Sequence, residues 1–352
     1  MSDGATLQPS IVPEIDSVSD FFDRATSNQW TDGLPVIPPT PERVSAMVGD
    51  LDPARVLGVI PPRNGLATVK TVAANAVMAG CLPEYFPVVV AAVEAITDPG
   101  FWLYGLIPTT SPGAVGVLVS GPLAREIEVN GGNMALGPGF RANMTIGRAV
   151  RLVCRNIGGG IPGNGDMSTQ GSPALISLCF TESEVSPWPW YVLDRGLAKE
   201  GDSAVTVFSA LSLIDVFDTV SRDPYQLLRS FVDALQRIST TNVLIGNGPV
   251  IVFCPEHANI LSQGGFSRRD VERFLYEHVR VPLAWFNPEN AREYLRKRRP
   301  LWAYSEGPDA RIPTGNGPED FHVVVAGGGG PHSTVISSLS ESYPITRIIG
   351  GT

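Results

Sequence analysis

The stretch "TSPGAVGVLVSGPLA", residues 110–124, has a counterpart in "IGNGPVIVFCPEHA", residues 245–258. Each is a run of aliphatic and β-branched residues edged by glycine and proline, with a further proline just past its end. Each reads as a short strand, and the apolar run at 174–180, which lacks clean alternation, reads as a central one. The sequence around each run repeats as well. A helical pattern precedes them, at 83–96 and at 223–238. "GPGFRANMTIGRAVRLVCRN" (137–156) and then "ALISLCF" (174–180) follow the first run. "SQGGFSRRDVERFLYEHVR" (262–280) and then "HVVVAGG" (322–328) follow the second.

Both halves therefore run helix, strand, proline turn, Gly-Phe pair, helix, strand. Pro122 matches Pro255, Gly139-Phe140 matches Gly265-Phe266, and Leu178-Cys179 roughly matches Val324-Val325. The pattern predicts an α/β fold of two similar lobes related by an internal duplication, with a cleft between them. The plainer alternative is that successive βαβα units resemble one another anyway, since the identities are few. The expected organisation is an N-terminal extension with a short helix (1–30), a first lobe with a glycine-rich loop (31–199), and a second lobe (200–352). A chain of 352 residues suits two such units.

Local signals fill in the rest. Thr40-Pro41-Glu42 reads as an N-cap, a first-turn proline and an early acid, opening a helix to Val48. Strands are expected at 56–60, 103–107, 204–208, 243–245 and 345–349. Helices are expected at 68–78, 145–154, 286–299 and 267–279, the last opened by Ser267-x-x-Asp270.

Composition excludes several classes of function. The net charge is −9, from 35 acidic and 26 basic residues, and this argues against nucleic acid as a partner. The one dense basic run, "REYLRKRR" at 292–299, suits a solvated helix end or a phosphate site. No apolar run reaches the roughly 18 residues of a membrane span, and the first residues carry no signal core. Four cysteines, Cys81, Cys154, Cys179 and Cys254, form no CxxC pair and sit in apolar segments. Reduced thiols and a cytoplasmic address are expected. Only 17% of residues are charged, so a homo-oligomer is expected too. ATP and dinucleotide signatures are absent: no Gly-Lys-Ser/Thr follows the glycines, and Gly158-Gly159-Gly160 follows a helix where a dinucleotide fingerprint follows a strand.

The chemistry-bearing residues cluster by segment. In 130–172, Arg141 stands before a helix start, where an anion would meet free N–H groups and a guanidinium; the alternative is an arginine that ties the loop down. Asn143, Arg148 and Asp166 join it as substrate-binding candidates. "GCLPEYF" offers Cys81, Glu84 and Tyr85 beside another helix start, where Cys81 is either an activated thiol or a packed one. "CFTESEVSPWPW" places Glu182 and Glu184 on one side of an extended chain, as a proton donor and acceptor pair or as the wall of a surface loop. In the second half, His257 follows one strand, and His332 and Ser333 follow the glycine run after another. His332 is a general-base candidate. A divalent metal is a further use of His257, His332 and Glu182, although no zinc-type spacing occurs.

Four segments, "VKTVAANAVMAGCLPEYFPVVVAAVEA", "GFRANMTIGRAVRLVCRNIGG", "CFTESEVSPWPW" and "VVVAGGGGPHS", together resemble a largely uncharacterised bacterial family. Its genes lie near small thioredoxin-like selenoproteins or cysteine proteins of the UGSC type. The resemblance spans about Asp32 to Ser333. It implies that Cys81, Glu84, Tyr85, Asn143, Arg148, Glu182, Glu184 and His332 belong to the family's motifs, and that a thioredoxin-like protein is a partner. It brings no cofactor.

The leading expectation is an enzyme, of lyase or hydrolase type, that acts on a small anionic metabolite by acid–base chemistry. Glu182, Glu184 and His332 would move protons, with Arg141 and Arg148 holding the anion. The alternatives are a thiol-dependent enzyme using Cys81 with a redox partner, and a non-catalytic ligand-binding or complex subunit.

Overall fold

The computed structural model describes residues 17–236, 248–295, 310–339 and 341–350. The strand expected at 243–245, the first 15 residues, and the basic run beyond residue 295 lie outside them.

Two mixed sheets of four strands organise the chain. We number only their strands: β1 Ala114–Ser120, β2 Cys179–Thr181, β3 Ala204–Ala210, β4 Ser212–Phe217, β5 Val250–Phe253, β6 His322–Val325, β7 His332–Ser337 and β8 Ile345–Ile348. The first sheet has the order β8-β3-β1-β2 and the second β4-β7-β5-β6. In each, the last two strands are parallel and the other neighbours antiparallel. The strands do not divide at residue 200. β3 and β8 complete the first sheet, and β4 crosses to edge the second.

The crossing points match. Thr206 of β3 stands opposite Leu118, and Thr334 of β7 opposite Val252. The strands there read "TVFSAL" (206–211) and "TVISSL" (334–339), identical at four of six positions. At each exit the chain bonds the other: Leu211 N–H donates to Ser337 O (2.8 Å), and Leu339 N–H donates to Ser209 Oγ (2.9 Å).

Side chains alternate between two apolar layers along every central strand. On the first sheet Val117, Val119, Val205 and Val207 face helices. These are α1 (Val18–Ser27), α2 (Pro41–Val48), α3 (Val69–Ala79), α4 (Phe86–Ile96) and α5 (Arg141–Asn156). On the second, Ile251, Phe253, Val323 and Val335 face α6 (Pro224–Leu235), α7 (Pro255–Gln263) and α8 (Arg268–His278). The opposite faces meet in one layer: Leu118, Phe180 and Phe208 pack with Val250, Val252, Val324 and Ile336. The order is helices, sheet, sheet, helices. That shared layer explains why the strand runs carry no polar alternation, since both of their faces are covered.

The cap signals act as expected. Thr40 accepts from Arg43 N–H, and Ser267 and Asp270 form a capping box. Several local expectations change, and the strand expected at 174–180 is confined to Cys179–Thr181, behind a 3-10 turn at Pro173–Leu175. Residues 103–107 form a short helix, Leu103–Leu106, in place of a strand. The expected N-terminal extension is part of the first core, which buries Phe21 and Ala25 of α1. "HSTVIS" after the glycine run is strand β7, where a loop was expected. Among the described residues no single helix is long and apolar enough to cross a membrane; the pair Pro83–Ile96 and Pro99–Leu106 passes that test jointly but is bent by 74°.

Candidate functional site

A cleft of about 620 Å³ opens where β2 ends and α5 begins. Tyr85, Arg125, Glu128, Arg141, Glu182 and Glu184 line it, together with Asn130, Gly131, Gly139 and Phe140. Four of these, Tyr85, Arg141, Glu182 and Glu184, are among the residues expected from sequence.

The start of α5 is open. Its N-cap is Phe140, which has no side-chain acceptor, and the first intrahelical bond is Met144 N–H to Phe140 O. The amides of Arg141, Ala142 and Asn143 therefore precede the ladder uncapped, with the positive end of the helix dipole behind them. Arg141 donates from Nε and Nη2 to Gly80 O (3.1 and 3.0 Å), so its guanidinium is anchored, and Nη1 has no partner among the described residues. The tying role weighed for this arginine is the one that these bonds show.

Tyr85 is buried at 5% exposure and still lines the cleft. Burial pushes its phenol above the ordinary tyrosine range against the pull of Arg141, and Glu84 and Glu128 add to the rise. Glu84 itself is exposed and does not line the cleft. Glu184 sits at the mouth, where its Oε1 accepts from Arg125 Nε at 2.5 Å. Arg125 lies over the Trp190 ring, 5.6 Å from its centroid. Glu184 Oε2 has no protein partner among the described residues.

Asn143 is buried and does not face a ligand. Its Oδ1 accepts from Asn130 N–H (2.8 Å), and its Nδ2 donates to Asn130 O (3.0 Å) and Ala135 O (3.2 Å). It clamps the loop that forms one wall. Gly131 is required in that loop, because a Cβ there would fall 2.4 Å from Glu182 O.

Several other expected roles are corrected. Glu182 is buried at 2% exposure, and both of its oxygens are engaged: Oε1 accepts from Arg268 Nη2 (3.0 Å) and Val325 N–H (3.3 Å), and Oε2 from Tyr191 N–H (2.5 Å). Arg148 binds Asp32 with two bonds (2.8 and 2.7 Å) and also Leu34 O. Burial alone would raise the Asp32 carboxyl, but Arg148 and the Leu34 amide hold it below the ordinary range. Asp166 is taken by Arg151 Nη2 (2.6 Å) and Ser168 N–H. Arg148 and Asp166 therefore tie α5 to its neighbours.

Cys81 is packed. Its Sγ donates to Thr145 O (3.3 Å), and burial pushes the thiol up to about 12, which removes the basis for an activated Cys81. His332 opens β7, is exposed, faces Asp215 at 3.1 Å, and lies outside the cleft lining. Ser333 is buried against His257, with Oγ 2.8 Å from Nδ1. His257, His332 and Glu182 do not gather, and no group of three metal-type ligands occurs among the described residues.

The strand ends do meet. Ser183 N–H donates to Val325 O (2.7 Å), and Gly327 N–H donates to Gly131 O (2.9 Å). All cleft-lining residues nevertheless fall between Tyr85 and Glu184, and the second half supports the wall from behind. Sequence reasoning missed Arg125 and Glu128, which sit just past β1. Their signal was Pro122, which places "LAREIE" at the carboxyl end of a parallel strand, where α/β sites form. Comparison with known protein families, curated sequences and solved structures yields no match for this chain.

Proposed function

We propose that this protein is an enzyme that binds a small carboxylate or phosphate anion in the cleft at the start of α5 and moves a proton on it, as a lyase or hydrolase does. One observation carries the reading: an uncapped 16-residue helix opens onto a cleft that also holds Arg141, Tyr85 and Glu184. Arg141 Nη1 and the amides of Ala142 and Asn143 hold the anion. Tyr85, kept protonated, donates to the group that gains charge. Glu184 is the proton acceptor, positioned by Arg125 and with one oxygen unengaged. Glu182 and His332 leave the mechanism.

We also read the two halves as copies of one unit that have exchanged their last strands. The matching sheet orders, the paired threonines and the reciprocal bonds at Leu211 and Leu339 support that reading. It explains why one site exists where two would be expected. The second copy's helix start is closed by its own Ser267–Asp270 box, and Arg268 there turns to Glu182.

The test is calorimetric titration of small mono- and dicarboxylates and phosphate, followed by turnover assays of whichever bind. Arg141→Met should weaken binding roughly 10- to 100-fold, the loss of one charge-assisted contact. Glu184→Gln should leave binding intact and lower turnover by about 10²- to 10⁴-fold. Binding without turnover of any ligand would favour the non-catalytic alternative, and absence of binding would reject the site.

A further inference from the structure

A second hollow, of about 540 Å³, lies in the other half, between the start of α6, the α7–α8 turn and one face of α8. Tyr225, Gly265 and Phe266 line it as Tyr85, Gly139 and Phe140 line the cleft. In both halves the tyrosine stands at a helix start, within two residues of a proline, and the Gly-Phe pair leads into a long helix. The polar groups differ in sign. Ser267 caps α8 by accepting from Asp270 N–H, and Arg268 is buried against Glu182, so the features that suit the cleft to an anion are missing here. Three aromatic rings and two carboxylates border the hollow in their place. We infer that it is a binding site for a small alkylated ammonium ion.

The rings carry the argument. Tyr225 lies 5.2 Å from Phe266 and 5.9 Å from Phe274, and those two lie 6.5 Å apart, all edge to face with planes inclined between 61° and 79°. Rings so inclined form a corner and not a stack. An occupant that touches all three lies within the roughly 6 Å of each centroid over which a ring face attracts a cation. Tyr225 is 57% exposed, and a ligand in the corner would cover it. The other two rings are held in place. Phe266 N–H donates to Leu261 O (3.0 Å), and Phe266 O accepts from Trp188 Nε1 (3.0 Å). His278 stacks on Phe274, with 3.9 Å between centroids, and its Nδ1–H donates to Phe274 O (2.8 Å). Gly264 lets the turn approach α6, because a Cβ there would fall 2.1 Å from Pro224 Cγ. The corner is thus preorganised.

Charge selects the head group. A spacing of three to four residues sets Asp270, Phe274 and Glu277 on one side of α8, and all three line the hollow. Arg273, also in the lining, pairs with Asp270 at 3.3 Å. Glu277 is exposed and makes no hydrogen bond or ion pair among the described residues. The surplus negative charge suits a cation and repels an anion. A primary ammonium is strongly hydrated, whereas an alkylated one presents methyl groups that aromatic faces cover readily. The volume falls in the range of small-ligand sites, about 300–1,000 Å³.

Calorimetric titration of the full-length protein with choline and with its uncharged isostere dimethylbutanol, in which carbon replaces the nitrogen, tests this. Choline should bind at least fivefold more tightly than the alcohol. Tyr225→Leu, a change at an exposed site, should weaken choline at least fivefold. Glu277→Gln should weaken choline and leave the alcohol unchanged. Equal affinity for the two probes would make the hollow merely apolar and overturn the inference. So would an absence of choline binding, or choline binding that Tyr225→Leu leaves intact. A trimethyl-lysine peptide bound more than tenfold more tightly than choline would assign the corner to a protein partner and overturn a small-molecule ligand. Neither choline nor the alcohol is an anion, and neither substituted residue lines the cleft, so the outcome stands apart from that of the cleft titrations.

Discussion

Arg268 and Glu182 form an ion pair sealed between the two halves, with exposures of 1% and 2% and a separation of 3.0 Å. Arg268 also donates to Val323 O and Pro189 O. Its Nε lies 2.9 Å from Asp194 Oδ2 but is not aligned for a hydrogen bond, so that contact is one of charge alone. Removing one partner strands a charge in a dry site. Glu182→Leu or Arg268→Met should each destabilise the fold by about 3–5 kcal/mol. The double variant should lose less than the sum of the two, measured by urea unfolding. Additive losses would mean that the pair is not coupled.

The open start of α5 makes an opposite prediction. Phe140→Asp supplies the missing N-cap acceptor and should stabilise the helix by about 0.5–2 kcal/mol. Phe140 is 39% exposed, so little packing is lost. The same carboxylate occupies the amides assigned to the anion and repels it. Thermal stability should rise while affinity for the bound anion falls at least tenfold. Unchanged affinity would place the anion elsewhere.

How much of this was legible in sequence depended on punctuation. Thr40-Pro41 and Ser267-x-x-Asp270 specify helix starts through bonds between near neighbours, and the fold keeps them. Arg141 was legible because it stands ahead of an expected helix, although that helix begins at Arg141 itself and not at 145. What failed was long-range. Glu182 and Glu184 were expected on one side of an extended chain, but the strand ends at Thr181, the chain turns at Glu184, and Glu182 is buried against Arg268, 86 residues away. Arg148 is matched by Asp32 at a separation of 116 residues. Strand β7 was hidden because four glycines precede it, and its edge neighbour β4 shows outward Leu213 and Phe217 that blur the alternation.

His322 makes folding sensitive to pH. Its ring is buried, and Nδ1 lies 2.9 Å from the Tyr191 hydroxyl, which donates to it when the ring is neutral. Burial first, and Arg195 second, push its folded pKa well below 6.5. The unfolded chain therefore takes up the proton more readily. This contribution is complete above pH 6.5 and is lost as pH falls below 6.5, at up to about 1.4 kcal/mol per pH unit. Denaturant titrations at pH 7.5, 6 and 5 should show that loss, and His322→Gln should flatten it. An equal slope in the variant would assign the loss to other groups.

Asn143 acts on the cleft without touching its contents. The three bonds that it makes to Asn130 and Ala135 hold the wall loop against the open helix start. Asn143→Leu keeps the volume but leaves the Asn130 amide and two carbonyls without their partner, at roughly 1–3 kcal/mol for each buried group left unsatisfied. The loop also carries Gly131, whose carbonyl receives Gly327 N–H, so loosening it should spread to the glycine run of the second half. Hydrogen exchange should therefore quicken at 130–135 and at 327–328 while β1 and β3 stay protected. Anion affinity should fall several-fold through poorer preorganisation. A residue that held the ligand itself would give the opposite signature, in which affinity is lost while exchange in both loops remains at the wild-type rate.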